Sequence, residues 1–555
     1  MEISGTAGRS AALAIYCALA LPAAAVAPQP AGAFRGITGV DGPSADVRQL
    51  GGLDVARDGD GLLAWVRRDG GADHAYLALL RAGVSQGAFR IDAGQPQLTS
   101  APAVAAANDG RMAVVWANAR GVFAAVRSGE RAVFGPPQQL AGAGADAPVV
   151  DLSPAGVGYA AWVEDGDVRT AYLPRTVTDF RVHATPVDAD PAREAGTGTQ
   201  RPRVTASGDG IGLVVWGERE LGGGTRVLAR RLVRSALSQV FIDATASTVQ
   251  GRVAGSAELP EVRIEDDSSY AWVVMRQQVR DATDSVDVWR GVARRLRGSR
   301  FETPLTLDGD PSAGAVGPPR IALNGRGRGI AVLQTPDGSV RACVIRDDVL
   351  GTPVVLGAAG GADAQPGTAF GENSDGVVAW LAAPAPGSAV ELRARLLQDD
   401  PALAQAPPFG ELAHLSEDPL APPDPLAGVS LGTPDPLAGL QVAADRAGDT
   451  LMAVVLAGPA GRTVALAAYD RAPGAPVALT TTWWRARRRP VLTWTPAAEL
   501  WGPVTYSVLI DGVQAGTTTL TTFTPPMALA DGLHRWQVIA TDPRDQTSPS
   551  SARNL

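Results

Sequence analysis

The chain has 555 residues and a formal net charge of −8, and its 49 basic residues are all arginine, since no lysine occurs in it. The absence of lysine excludes P-loop nucleotide binding, Schiff-base catalysis and the phosphate-positioning lysine of protein kinases. The acidic balance gives no electrostatic case for a nucleic-acid partner. The 64 glycines and 43 prolines are typical of many short strands joined by turns.

The N-terminal segment has the layout of a secretory signal peptide. Residues 11–27 form an apolar run behind Arg9, and small residues that suit a signal peptidase follow it up to Ala33. Pro22 interrupts the run, which makes it too short for a membrane-spanning helix of about 20 residues. We predict that residues 1–33 are removed, that no transmembrane helix remains, and that the mature protein is extracellular or at the cell surface.

The middle of the chain repeats a unit of about 50 residues. In one copy, residues 102–107 form a strand-like run, the turn Asn108-Asp109-Gly110 follows, and residues 111–116 form a second run. Residues 121–127 and 132–134 add two more strand signals, so each unit predicts four short strands.

The second run of the unit ends in tryptophan in most copies. The copies end at Trp65, Trp116, Trp162, Trp216, Trp272 and Trp380, and two further copies end in Leu333 and Val455. Four-stranded units in series predict an all-β fold, a β-propeller over residues 45–480 with about eight blades and seven as the alternative. The repeated tryptophan is predicted to be core between blades.

The third strand of many units ends in arginine. These residues are Arg81, Arg127, Arg175, Arg234, Arg297, Arg346 and Arg395. We expect them near the rim of the propeller with their stems over apolar surface. A ring of arginines that recognises an anionic ligand is the alternative.

A proline-rich insertion lengthens the last repeat. Residues 398–439 contain the duplicated string Pro-Asp-Pro-Leu-Ala-Gly, at 423–428 and 434–439. Proline at this density cannot complete the hydrogen-bonding ladders of a sheet, so the segment is predicted to be a surface loop or cap.

Residues 484–555 have a different spacing and predict a small C-terminal β-sandwich. Trp494 ends the first strand, a Tyr506-x-Val-x-Ile510-Asp-Gly strand follows, and a strand with Trp536 in Asp-Gly-x-His-x-Trp-x-Val-x-Ala comes last. The segment resembles a bacterial fibronectin type III or Ig-like domain, which implies a spacer or an adhesive unit. The basic run at 485–489 is expected to be a solvated linker edge, with a surface-binding patch as the alternative.

Motifs for catalysis and metal binding are incomplete. Ser85 and Ser430 lie in Gly-x-Ser-x-Gly strings, but neither has the strand before it and the helix after it that a nucleophile elbow needs. The four histidines are scattered, the Asp-Gly pairs lack the alternating ligand pattern of a calcium loop, and Cys343 lies in an apolar strand. The sequence therefore identifies no catalytic, cofactor-binding or metal-binding residue, and it leaves the binding residues open.

The repeats resemble a divergent sialidase-like or TolB-like bacterial propeller. The Asp-box of sialidases is approached by Ser207-Gly-Asp209-Gly210 with Trp216 behind it, although Ile211 replaces the required glycine. This resemblance concerns the fold and carries no activity with it.

Three functions remain open. The first is a non-catalytic binding or scaffolding role in the bacterial envelope, with an extracellular or cell-wall protein or glycan as the partner of a monomeric chain. The second is a carbohydrate-active enzyme, a glycosidase or lyase with carboxylates at the propeller mouth. The third is a structural envelope spacer attached through the sandwich.

Overall fold

The computed structural model describes residues 32–188, 190, 192–280, 287–309, 314–360, 363–383, 388–398, 409–415, 433–435, 438–482 and 488–555. The first strand, β1 (Ala33–Ser44), belongs to the last sheet of the ring described below. The predicted signal peptide lies almost wholly outside the described residues, as does most of the proline-rich insertion, so both stay predictions. Among the described residues, no helix is long and apolar enough to cross a lipid bilayer.

Antiparallel sheets follow one another along the chain, and we number them 1 to 8. The strands of sheets 1 to 4 are β2 (Val47–Val55), β3 (Gly61–Asp69), β4 (Ala72–Arg81) and β5 (Val84–Arg90); β6 (Ala103–Ala107), β7 (Arg111–Asn118), β8 (Gly121–Ser128) and β9 (Gln138–Gln139); β10 (Asp146–Leu152), β11 (Gly158–Glu164), β12 (Asp167–Leu173) and β13 (Arg181–Val182); and β14 (Arg203–Ala206), β15 (Gly212–Arg219), β16 (Thr225–Val233) and β17 (Ala236–Asp243). A 3₁₀ turn, Gly198–Gln200, precedes β14.

Sheets 5 to 8 continue the same pattern with a few added short strands. Their strands are β18 (Thr248–Val249), β19 (Arg252–Ile264), β20 (Tyr270–Arg280), β21 (Asp287–Arg297), β22 (Arg300–Phe301) and β23 (Leu305–Thr306); β24 (Arg320–Leu323), β25 (Gly329–Gln334), β26 (Ser339–Arg346), β27 (Val349–Leu350) and β28 (Val354–Ala358); β29 (Gly367–Phe370), β30 (Asp375–Ala382), β31 (Glu391–Gln398) and β32 (Ala413–Leu415); and β33 (Thr433–Pro434), β34 (Leu440–Ala444), β35 (Thr450–Gly458) and β36 (Gly461–Asp470).

The inner strands of these sheets form a closed ring, which confirms the predicted all-β propeller fold. The inner strands are β2, β6, β10, β14, β19, β24, β29 and β34, and each contacts the next until β34 contacts β2 again. Strand β1 pairs with β36 and so completes sheet 8 from the N-terminal side of the chain. The ring is thus closed by pairing the two ends of the propeller sequence, and this strand lies outside the predicted propeller range of 45–480.

The repeated tryptophans fill the spaces between sheets, and their predicted burial is confirmed. All six side chains are at most 1 % exposed. Trp65, Trp116, Trp162, Trp216 and Trp380 each pack against the preceding sheet. A buried aromatic side chain of this size contributes a large apolar area, which holds neighbouring sheets together.

Sheet 5 departs from the predicted repeat. In sheet 1 the last inner-strand residue pairs with Gly61, four residues before Trp65, whereas in sheet 5 the equivalent pairing is Ile264 with Ala271. Four residues beyond Ala271 is Met275, which faces sheet 4, while Trp272 faces sheet 6. The assignment of Trp272 to the common tryptophan position was therefore wrong, because Trp272 and Met275 are an odd number of residues apart and so point to opposite faces of the strand.

The C-terminal residues form two small sheets around one core. The strands are β37 (Ala478–Thr482), β38 (Val491–Trp494), β39 (Thr505–Ile510), β40 (Val513–Thr518), β41 (Thr522–Phe523), β42 (Arg535–Thr541), β43 (Thr547–Pro549) and β44 (Arg553–Asn554). Strands β37, β38 and β41 form one sheet and the others form the second. Trp494, Tyr506 and Trp536 lie in their shared core. The first strand starts at Ala478, six residues before the predicted boundary at 484.

Candidate functional site

A cavity of about 550 Å³ opens at one end of the propeller. It is lined by Arg57, Asn108, Asp109, Arg111, Ser128, Pro154, Ala155, Arg175, Gly208 and Asp266. These residues belong to the turns between the inner and second strands of sheets 1 to 5 and to the ends of the third strands of sheets 2 and 3. Because antiparallel neighbours reverse direction, both kinds of turn lie at the same end of the ring. We call this end the turn face.

Asp109 and Gly110 give the cavity wall its tight hairpin. Their φ angles are +61° and +67°, the left-handed pair that a two-residue hairpin turn needs. A Cβ at position 110 would lie 2.8 Å from the backbone of Glu130, so glycine is required for space as well as for conformation. The predicted hairpin is confirmed, and it leaves the Asp109 side chain exposed on the cavity wall.

Arg57 closes the centre of the turn face. Its guanidinium donates to Asp266 Oδ1 at 2.7 Å and to Asp266 Oδ2 at 3.0 Å, and it lies 3.0 Å from a carboxylate oxygen of Glu372. Arg57 comes from sheet 1 and Asp266 from sheet 5, so three sheets separate them in either direction around the ring. Burial works to lower the pKa of Arg57, but the bond to Asp266 and the charge of Glu372 raise it overall.

Hydrogen bonds also join the turns of neighbouring sheets into a belt around the axis. From sheet 4 to sheet 3 by way of sheets 8 and 1, the bonds are Asp209 N to Asp266 O (3.1 Å), Asp266 N to Gly325 O (2.9 Å), Gly325 N to Glu372 Oε1 (2.9 Å), Asn373 N to Arg446 O (3.3 Å), Arg446 N to Arg57 O (3.3 Å), Asp109 N to Asp58 Oδ2 (2.6 Å) and Asn108 N to Pro154 O (3.3 Å). The cavity is lined by turns of sheets 1 to 5, which include the two ends of this belt at sheets 3 and 4. Its wall is therefore preorganised by these hydrogen bonds.

Two further arginines of the cavity have no carboxylate partner within the described parts of the chain. Arg111 is 6 % exposed and donates only to carbonyl oxygens, those of Gly156 at 3.0 Å, Pro174 at 3.0 Å and Val177 at 2.6 Å. Burial lowers the pKa of Arg111. Arg175 is exposed, and its side chain forms no hydrogen bond or ion pair with any residue that the structure describes.

The other arginines at the ends of third strands lie outside the cavity lining. Arg127 is 5 % exposed, and its guanidinium binds the carbonyl oxygens of Gly110, Glu130 and Ala132 behind the cavity wall. The expectation of a rim position is thus wrong for Arg127. The arginines at 81, 234, 297, 346 and 395 do not line the cavity. One member of the predicted set, Arg175, therefore reaches the candidate site.

The wall of the central channel is charged. Burial works to raise the pKa of Glu261, but the guanidinium groups of Arg203 at 2.9 Å and Arg320 at 2.6 Å hold it at about 2. Burial and the nearby Asp151 raise the pKa of Asp54 to about 7. A channel lined only by Ala, Gly and Val would have argued against an enzyme, whereas the channel of this propeller contains charged side chains.

The serine, cysteine and histidine candidates that the structure describes do not line the cavity. Ser85 is the second residue of edge strand β5, and Ser430 lies outside the described residues. Cys343 is fully buried, and burial raises the pKa of its thiol to about 12. His74 pairs with Asp92 at 2.8 Å inside sheet 1. Within the described ranges, no group of three or more His, Cys, Asp or Glu side chains could hold a metal ion.

Sequence reasoning missed Arg57, Arg111 and Asp266. The one local signal is that Arg57 stands in a turn, Ala56-Arg-Asp-Gly-Asp60, that is otherwise built like the acidic turns of the other repeats. Arg111 follows a turn directly and has the pattern of an ordinary strand residue.

No protein-family model matches the chain, and no curated protein matches it. Solved structures with a similar fold include the Dos1 propeller, with 7 % identity, a TM-score of 0.44 and coverage of 79 % of this chain and 94 % of that one. The polysaccharide lyase Uly1 has 8 % identity, a TM-score of 0.40 and coverage of 75 % and 89 %. The β-propeller domain of Cps50 (Swd1) from Myceliophteria thermophila has 11 % identity, a TM-score of 0.35 and coverage of 78 % and 99 %.

Proposed function

We propose that the protein is a secreted or cell-surface binding protein of the bacterial envelope, and that the turn-face cavity holds an anionic group of its ligand. The observation that carries this proposal is the pair Arg111 and Arg175, two guanidinium groups at one cavity without a carboxylate partner in the described chain. The belt of turns supplies the rigid frame, and the ligand supplies the missing negative charge.

The chemistry of Arg111 favours an anion. Its Nε and Nη2 are held by three carbonyl oxygens, which fix the plane of the guanidinium but do not neutralise it. A buried cation without a counter-charge is unfavourable, so an anion that reaches it gains more than the same pair would gain in water. Arginine forms two parallel bonds with carboxylate, sulfate or phosphate oxygens.

The size and lining of the cavity favour an acidic saccharide. A volume of about 550 Å³ lies in the range of small-ligand sites and holds one or two sugar units. Asn108, Ser128 and Asp109 present polar atoms, and the Oδ1 atom of Asn108 is buried without a donor in the described residues. Hydroxyl groups of a saccharide can donate to such acceptors.

Titration of the mature full-length chain with uronic-acid and sulfated oligosaccharides, against neutral isomers, tests the proposal by calorimetry. We expect binding of the acidic series, at least a tenfold loss with Arg175→Ala, and weaker binding at higher salt. Arg297→Ala is the matched control, because Arg297 is also exposed at the end of a third strand but lies outside the cavity. Equal binding of neutral isomers, or an Arg175→Ala variant that binds like the wild type, would refute the proposal.

A carbohydrate-active enzyme remains the second candidate because Asp109 and Asp266 both line the cavity. A glycosidase needs two carboxyl groups that are free to exchange protons or attack the sugar. Both oxygens of Asp266 accept bonds from Arg57, which makes it a poor partner in such a pair. Release of reducing ends or of unsaturated sugars from the bound saccharide, abolished by Asp109→Asn, would establish the enzyme instead.

Export and oligomeric state belong to the same proposal. The predicted signal sequence at residues 1–33 supports secretion, and a monomer is expected. Expression of the complete chain in a bacterial host, followed by fractionation, N-terminal sequencing and light scattering, tests both. An uncleaved chain in the cytoplasm would contradict the proposed location.

A further inference from the structure

Two loops of the C-terminal sheets, those that follow β38 and β42, contact the turn face at sheets 1 and 8. Trp501 is 2 % exposed and lies in the same apolar cluster as residues of both sheets. Gly83 leaves space for it, since a Cβ there would lie 2.8 Å from the Trp501 ring. Arg544 stacks over the same ring at 5.4 Å and donates to Ala82 O at 2.9 Å. We call residues 478–555 the C-terminal module and this contact the docking interface.

Carboxyl groups crowd the docking interface from both sides. The propeller contributes Asp445, Asp449 and Asp470, which are at most 1 % exposed, and the module contributes Glu499 and Asp542. Carboxyl groups outnumber the cations that face them. These cations are Arg35, 2.9 Å from Asp470; Arg544, 3.6 Å from Asp470; and Arg471, whose guanidinium binds Asp375 at 3.0 Å.

Asp470 Oδ2 accepts bonds from Arg35 and Gln546, and Asp449 Oδ1 accepts one from Arg471 N, but two other oxygens of this group are buried without a donor in the described residues. Asp445 Oδ1 accepts bonds from three backbone N–H groups, but Asp445 Oδ2 and Asp470 Oδ1 accept none from the described residues. Burial raises the pKa of Asp445, Asp449 and Asp470, and the charge of Asp445 adds to the effect at Asp449. Burial also raises the pKa of Glu499 to about 7, where Asp470 and Asp542 add their repulsion.

We propose that the C-terminal module docks reversibly on the propeller, held while the carboxyl groups of the docking interface carry protons and released as they lose them. A buried carboxyl group that ionises beside other carboxylates needs either water or a cation, and separation of the two surfaces supplies water. The side chain of Tyr469 is buried beside Asp449 and Asp470, but a phenol carries no positive charge and so cannot neutralise them.

The sign of the effect follows from proton counting. A carboxyl group with a raised pKa keeps its proton in the docked state over a pH range in which the separated state has released it. Docking therefore weakens as pH rises from the ordinary carboxyl range of about 4 through about 7, the pKa of Glu499. Release would expose Trp501 and the ends of sheets 1 and 8. The proposal concerns this contact alone and does not depend on the ligand of the cavity.

Small-angle scattering and hydrogen exchange of the full chain at pH 5.5 and 8.5 test the proposal. At pH 8.5 we expect a larger maximum dimension and at least tenfold faster exchange near Ala82–Gly83 and Trp501, after correction for the intrinsic effect of pH. Trp501→Ala provides the reference for the released state. The double variant Asp449→Asn with Glu499→Gln should stay compact at both pH values.

Asp511→Asn is the matched control, because this carboxyl group belongs to the module but lies exposed and outside the interface. It should open with pH like the wild type. A wild-type chain equally compact and equally protected at both pH values would overturn the proposal, as would a double variant that opens like the wild type. If the double variant does not fold, Glu499→Gln alone decides the question: a smaller opening supports the proposal and an unchanged one refutes it.

Discussion

Arg57 and Asp266 are joined by two hydrogen bonds across the axis of the propeller, although 209 residues separate them in the chain. Each belongs to a turn that also bonds to its neighbours, Arg57 to Arg446 and Asp266 to Gly325. The pair therefore ties opposite sides of the ring at the floor of the cavity. It restrains the distance between sheets 1 and 5, which no contact between adjacent sheets can do.

Loss of Arg57 should destabilise the protein more than loss of Asp266. The side chains are 31 % and 44 % exposed, so the pair should contribute about 1 kcal/mol to the free energy of unfolding. Arg57→Ala also leaves Asp266 and Glu372 without their shared cation, whereas Asp266→Ala leaves Arg57 with Glu372. Urea unfolding of both single variants and the double variant measures the coupling.

The pair Arg280–Asp287 provides the control for this cycle, since both side chains are more than 40 % exposed at the facing ends of β20 and β21. Removal of this pair should change the free energy of unfolding by less than about 0.5 kcal/mol, the usual size of the effect of a surface substitution. Additive effects of Arg57→Ala and Asp266→Ala would show that the cross-axis bond contributes nothing.

The tryptophans predict a difference between two otherwise matched substitutions. Trp116 Nε1 donates to Gln95 at 2.8 Å, whereas Trp216 Nε1 finds no acceptor among the described residues, and both side chains are fully buried. Trp116→Phe should therefore cost about 1 kcal/mol more than Trp216→Phe, the value of one hydrogen bond. Either tryptophan replaced by alanine should cost about 3–5 kcal/mol.

Chemical denaturation of the four variants checks this order. Trp289→Phe is the control, because Trp289 is only half-buried and lies in a third strand outside the repeat position. A larger loss for Trp216→Phe than for Trp116→Phe would mean that packing differences, and not the hydrogen bond, separate the two sites.

The sequence was sufficient for the propeller and for its hairpins because those features are local and repeated. Alternating runs, Asp-Gly turns and a tryptophan at one position predict strand order without knowledge of distant contacts. Trp272 shows the limit: it lies one residue after Ala271, the partner of the last inner-strand residue Ile264, whereas Trp65 lies four residues after the equivalent Gly61. Register is a property of the pair of strands, so the single strand could not reveal it.

The candidate site was less predictable, since its residues meet only after ring closure. Arg57, Asp109 and Asp266 come from three repeats, and each has a local sequence that explains a turn equally well. The docking of Trp501 over Gly83 is similar, because its partner lies more than 400 residues away in a hairpin whose glycine has its own conformational role, with φ at +72°.

Strand β1 should be essential for a closed ring. Asp41 in this strand accepts bonds from Trp65 Nε1 at 2.9 Å and from Arg67 at 2.7 Å, and the strand covers the free edge of β36. Asp41→Ala should cost about 1–3 kcal/mol, because the buried indole N–H loses its partner. Deletion of residues 33–44 should give a chain that aggregates, since an unpaired edge recruits other strands.

Thermal unfolding and light scattering distinguish these outcomes. Asp46→Ala, in the exposed turn directly after β1, should behave like the wild type. A monomeric, fully folded deletion variant would show that the ring closes without its N-terminal strand.

Asp54 should make the stability of the propeller fall with rising pH. Burial and the charge of Asp151 raise its pKa to about 7, so the folded chain holds a proton that the unfolded chain releases near pH 4, roughly the ordinary value. Between these values the free energy of unfolding should fall by up to about 1.4 kcal/mol per pH unit for this one proton.

The variant Asp54→Asn tests this dependence. Its side chain does not titrate, and it keeps an acceptor for the N–H of Ala106, which bonds to Asp54 Oδ2 at 2.7 Å in the wild type. The variant should therefore match the wild type near pH 4 and exceed it by a growing margin up to pH 8, while Asp179→Asn, on an exposed loop, leaves the slope unchanged. Parallel pH profiles for wild type and Asp54→Asn would show that Asp54 does not cause the pH dependence of stability.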